Sequence, residues 1–213
     1  MTSAHQTQAH PHQTTTSRPA PGLGHIIGDP GGAALFTFGL ALTWVFVVEV
    51  IDHDATGALV FGLLVGGIGQ TLGGIIAVLR KDNYLGNLLM TYGIWLIGFF
   101  LLSVNDLGTT NARAWWSFAL VIPSLFLAVP AVRTQATAII LAFVFLISLE
   151  IFLGLALLNE SATWLSTLVG WFALASALPI YYLAYERLMR AVEPAHAPTS
   201  PEFDAVEAEG HPA

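Results

Sequence analysis

The chain has 213 residues, 55% hydrophobic and 10% charged, with a mean hydropathy of +0.69 and a formal net charge of −7. A soluble domain carries about a quarter charged residues, so too few ions are present to cover a water-facing surface, which excludes a soluble enzyme or a wholly disordered chain. Fourteen acids against seven basic residues leave no basic footprint for nucleic acid, and without cysteine there is no disulfide, thiolate metal site or thiol nucleophile.

In chain order, residues 1–30 are rich in Thr, Gln, His and Pro and contain no apolar stretch ahead of a cleavage site. They read as a disordered cytoplasmic tail and not as a removable signal peptide. Its histidines His5, His10 and His12 have no scaffold to hold a metal. Six apolar segments follow, Gly31–Ile51, Ala55–Leu79, Tyr84–Val104, Ala114–Val132, Thr134–Leu158 and Ser161–Tyr185. Each is close to the ~20 residues a helix needs to cross a hydrocarbon core. Short polar stretches separate them: Asp52-His53-Asp54, Arg80-Lys81-Asp82-Asn83, Asn105-Asp106-Leu107-Gly108, Arg133 and Asn159-Glu160. No alternation of period two appears, so a barrel is disfavoured. The expected fold is all-α: a six-transmembrane-helix bundle over residues 31–190, with disordered tails at 1–30 and 191–213. The second tail carries four prolines, five acids and no Lys or Arg.

Basic residues set the orientation. With the N-terminus inside, Arg18, Arg80, Lys81, Arg133, Arg187 and Arg190 lie on the cytoplasmic side and Arg113 alone lies outside. Both termini are therefore expected in the cytoplasm, with the protein in the inner membrane. Trp115, Trp116, Trp164, Tyr181, Tyr182 and Tyr185 fall near span ends and read as interfacial belts.

Within the spans, Gly62/Gly66 and Gly69/Gly73 have small-xxx-small spacing, which lets backbones approach closely. Gln70 lies on the same side as Gly66 and Gly73, and an amide at that depth needs partners, as interhelical glue or as a path-lining group. Two carboxylates stand inside spans. Glu150, near the middle of the fifth, costs on the order of 2–3 kcal/mol to place there and should face water or a partner, as a proton or solute carboxylate or as a neutral interhelical link. Glu49 is one turn from the outer end of the first span. It shares a face with Phe38, eleven residues and ~16 Å away at helical rise, which places it along the outer mouth of any path lined by Phe38. Asp52, His53 and Asp54 add acid there. No His-Glu-x-x-His, Gly-x-Ser-x-Gly or Gly-x-x-x-x-Gly-Lys pattern is present, so catalysis, a cofactor and a metal are not expected.

The stretch from Gly66-Gly67-Ile68-Gly69-Gln70 to Thr91-Tyr92-Gly93 resembles the acetate uptake transporter family, also called succinate–acetate transporters. Asp29-Pro30-Gly31-Gly32-Ala33-Ala34-Leu35, followed by Phe38-Gly39, is similar to that family's opening motif. The resemblance spans Asp29 to about Tyr185. It implies six helices, a homo-hexamer, and a path for small carboxylates in each protomer. It also implies an apolar constriction of Phe38, Tyr92 and Leu149, with Gln70 beside it. Asp29 stands where the family has Asn, Ala77 where several members have Glu, and Glu150 has no counterpart in the pattern. The function this implies is a membrane channel or transporter for acetate or similar small monocarboxylates, proton-linked through Glu150. A channel for a small neutral solute such as urea or an amide, and a non-transporting assembly or sensor subunit, stand as alternatives.

Overall fold

Polar side chains at the edges of the apolar runs start the helices. Asp82 accepts a hydrogen bond from Leu85 N at 3.0 Å, and Thr109 from Ala112 N at 3.2 Å, each satisfying a donor that the first helical turn leaves open. In the computed structural model, which describes residues 28–105 and 108–192, the elements are α1 (Gly31–Phe46), a π-helical turn (Val47–Ile51), a 3₁₀ turn (His53–Ala55), α2 (Thr56–Leu79), α3 (Asn83–Val104), α4 (Thr110–Arg133), α5 (Thr137–Leu158) and α6 (Thr163–Val192). All six helical stretches are long and apolar enough to cross a membrane. The tails expected over 1–30 and 191–213 lie outside the described residues, apart from residues 28–30 and 191–192.

Three boundaries differ from the sequence reading. α4 begins at Thr110 rather than Ala114, because Thr109 caps it and Arg113 sits inside the helix instead of marking a loop. α5 begins at Thr137 rather than Thr134, after a turn in which Gln135 takes a positive φ of 55°. α6 runs on past Tyr185 to Val192, its charged last turns held by neighbours: Arg187 lies 3.0 Å from Asp29 and 3.5 Å from Asp82, and Arg80 lies 3.4 Å from Asp29. Charges that read as the end of a span are here a paired helix end. We call this the paired end of the bundle. It gathers the start of α1, the α2–α3 and α4–α5 turns and the end of α6.

Each helix packs on its sequence neighbour, and α1 also packs on α6, so the order around the bundle is α3-α2-α1-α6-α5-α4. α2 is gripped on two sides by glycines. Gly66 and Gly73 face Ala41 and Ala34 of α1, with Gly62 against Trp44. On another face Gly67 and Gly74 meet Gly93 and Gly86 of α3, and a Cβ on Gly74 would lie 2.8 Å from Met90 N and 2.9 Å from Gly86 O. The sequence reading identified the first face. The second follows a seven-residue spacing on both helices. In lipid, where apolar surface gains nothing by leaving water, such close backbone approach supplies the dispersion contact that holds helices together.

α3 and α4 meet differently. They pack sparsely, yet aromatic side chains carry four hydrogen bonds across the gap. Tyr84 OH donates to Leu127 O at 2.9 Å, and Tyr92 OH meets Ser124 Oγ at 2.7 Å. Trp95 Nε1 donates to Trp116 O at 2.9 Å, and Trp116 Nε1 returns a bond to Trp95 O at 3.0 Å. Trp116 is thus a bridge as well as a residue near a span end. Tyr181 is likewise turned inward, packing over Gly39 with its hydroxyl 3.0 Å from Thr43 Oγ1. Trp115, Trp164, Tyr182 and Tyr185 remain on the exposed surface.

Candidate functional site

Opposite the paired end, the inward faces of α1 to α5 enclose a cavity of about 290 Å³. Its rim carries Glu49, Thr56, Ser103 and Arg113, and its floor Phe38, Tyr92, Leu146 and Glu150. Helical periodicity sets its depth on two walls. Phe38 to Glu49 on the first wall is eleven residues, and Arg113 on α4 stands the same eleven residues from Ser124, which is buried behind the floor, about 16 Å at helical rise. Phe38 and Glu49 both lie on the cavity wall, Glu49 from within the π-helical turn. Beyond the floor lies a second, wholly apolar cavity of about 30 Å³, lined by residues such as Leu35, Leu88, Ile139 and Leu183.

Three residues border both cavities: Phe38, Tyr92 and Leu146. The Phe38 and Tyr92 rings stand 5.3 Å apart, tilted by 43°, and Phe143 backs Tyr92 at 6.4 Å. A contact of this kind between ring edges and faces is favourable and closes the space between the helices. Leu149 borders only the larger cavity, three residues along α5 from Leu146. Sequence reasoning did not single out Leu146, since α5 is apolar on every side and nothing in its pattern marks one leucine from the next.

Polar groups converge at the floor. Glu150 is 2% exposed, and its Oε1 accepts from Ser124 Oγ at 2.8 Å. A serine hydroxyl has one proton, so with Ser124 donating to Glu150 the phenol of Tyr92 must donate to Ser124. Tyr92, Ser124 and Glu150 therefore form a directed chain from the ring that borders both cavities to the carboxyl, whose Oε2 has no partner. Ser124 is a candidate site residue that the sequence reading missed. Serines in apolar helices usually bond back to their own backbone, and only the fold shows that this one bridges two helices.

Gln70 is fully buried, and neither amide atom has a hydrogen-bond partner. It does not line either cavity. Its height follows from its neighbours: Gly66 faces Ala41 and Leu96, and Gly73 faces Ala34 and Leu89. Gln70, between them, is level with Phe38 and Tyr92. Glu49 is half-buried and packs over Gly170 of α6. The structure thus brings Phe38, Tyr92 and Glu150 together at one depth, with Gln70 behind them, Leu149 beside them in the larger cavity and Glu49 at the rim.

Six helices able to cross a membrane, with an interior divided between two cavities, define a multipass integral membrane protein. No protein-family model and no curated protein matches the chain. Among solved structures it is similar to that of the bacterial acetate channel SatP, with a TM-score of 0.71 at 15% identity, covering 82% of this chain and 99% of that one. The two chains share a fold.

Proposed function

We propose that the protein is a membrane channel or transporter for acetate or similar small monocarboxylates, passing them through the bundle at the Phe38–Tyr92 constriction. The observation that carries this reading is the division of the interior into two cavities by Phe38, Tyr92 and Leu146, in a fold shared with an acetate channel. A small carboxylic acid has an apolar end that such a ring admits. Its charged end loses water there, which is costly unless hydrogen bonds or a proton replace the water. The Tyr92–Ser124–Glu150 chain offers both, with the unpaired Gln70 amide buried behind it at the same level. A proton arriving on Oε1 of Glu150 would reverse the donor order of that chain and let the Tyr92 oxygen accept, so we assign Glu150 the proton-linked step. Weak binding on each side of a constriction favours flux over retention.

The reading needs no catalytic residue, cofactor or metal. The clustering of Arg80, Arg187 and Arg190 at the paired end supports its placement on the cytoplasmic side of the inner membrane, with both termini inside. A homo-hexamer with one path per protomer is part of the proposal and rests on the family resemblance.

One observation favours a second reading. Glu49 at the rim, with Asp52 and Asp54 in the adjoining turn, would repel anions and suits a neutral solute such as urea. Flux of labelled acetate, succinate and urea into proteoliposomes at two pH values separates the possibilities. We expect acetate to enter faster at the lower pH, and Glu150→Gln to remove that pH dependence. Urea flux without acetate flux would support the second reading. Absence of any flux would leave a non-transporting subunit.

A further inference from the structure

Arg113 has no role in the scheme above. Because α4 starts at Thr110, Arg113 projects from the helix face that also carries Ser117, Leu120 and Ser124, and it lines the larger cavity. The side chain is half-buried, its Nε has no hydrogen-bond partner, and it forms no ion pair among the described residues. Two carboxylates share the cavity, Glu49 at the rim and Glu150 at the floor, and neither pairs with it. At the paired end, by contrast, Arg187 and the half-buried Arg80 line a cavity and are both paired with aspartates. A partly desolvated guanidinium without a carboxylate is a mismatch that an incoming carboxylate would complete, because its planar donors fit both oxygens at once.

The remaining walls choose which carboxylate. Between Arg113 and the floor the lining is apolar, with Val45, Leu59, Leu96 and Leu153. At the bottom Glu150 lines the floor, with its Oε2 buried and without a partner. A monocarboxylate with its head on Arg113 lays its alkyl end along this wall toward Phe38. A dicarboxylate in the same pose would bring its second charge onto apolar side chains and toward Glu150, with no second cation to meet it.

We propose that Arg113 is the docking residue of a monocarboxylate site in the rim of the larger cavity, which holds the solute head-outward before the constriction and discriminates against dicarboxylates. This deepens the reading of the protein as a carboxylate path and rests on it. Glu49 acts in the opposite sense, weakening capture by repulsion across the same rim.

The test is the concentration dependence of labelled acetate flux in proteoliposomes at fixed pH, for the wild-type chain and for Arg113→Gln, Arg113→Lys and Glu49→Gln. A charge-assisted hydrogen-bonded pair corresponds to about a tenfold or greater change in affinity. Arg113→Gln should raise the half-saturating acetate concentration at least about tenfold, and Arg113→Lys should recover part of that loss. Glu49→Gln should lower the half-saturating concentration, a gain that no misfolded variant can imitate. In the wild type, unlabelled propionate should compete with acetate and succinate should not. Unchanged saturation in Arg113→Gln, or succinate competing as well as propionate, overturns the site while leaving the carboxylate path standing. Absence of acetate flux in the wild type overturns both.

Discussion

α3 has two neighbours and meets them by opposite means. Toward α2 it presents Gly86 and Gly93, and the two backbones approach until a single added carbon has no room. Toward α4 it presents Tyr84, Tyr92 and Trp95, whose long side chains hold the partner at a distance by hydrogen bonds. One seam is closed by removing side chains, the other spanned by the largest ones available. The larger cavity lies inside the spanned seam, with Arg113 and Leu120 of α4 on its wall, so the same helix seals on one side and borders open space on the other. Apolar packing alone would close both seams in lipid, and polar bridges of fixed length keep one of them apart.

The comparison breaks first at the tight seam. Gly74→Val places atoms against Met90 N and Gly86 O, which as backbone cannot move aside. We expect no monodisperse protein after extraction, and a variant that elutes like wild type would mean the seam has slack. The next effect is at the spanned seam. Ser124→Ala removes the middle of the Tyr92–Ser124–Glu150 chain and leaves a buried phenol and a buried carboxyl short of partners. A loss of about 1–2 kcal/mol is expected in denaturant titration, with the protein still folded. Trp116→Phe should cost least, roughly 0.5–1 kcal/mol, since the reciprocal bond from Trp95 to Trp116 O survives. A Trp95→Phe/Trp116→Phe double-mutant cycle measures whether the two bonds act together, and strict additivity would show that they do not.

Much of this was legible in the sequence, for reasons that also mark where legibility stopped. Hydropathy counts carbon against charge, so six crossing segments and their order follow directly. It misplaces ends wherever a charge is paired inside a helix, as at Arg187, or buried in a helix start, as at Arg113. Glu49 and Glu150 stood out because an acid within a span is costly, and both line the larger cavity. Ser124 and Leu146 did not stand out, because a serine or a leucine in an apolar helix is ordinary until its neighbours are known. The seven-residue glycine match between α2 and α3 was present in the sequence, but reading it required knowing that those two helices adjoin. The link from Tyr92 to Glu150 spans three helices, and no spacing within any one of them encodes it.

The Trp95–Trp116 clasp has a spectroscopic consequence. Of the six tryptophans, Trp95 is the one that borders the larger cavity, and its indole nitrogen is fixed to a helix carbonyl. Its ring cannot turn away from whatever enters, so its emission registers the polarity of the cavity contents. The protein carries its own optical reporter of occupancy, on the wall of the cavity where the proposed monocarboxylate site lies.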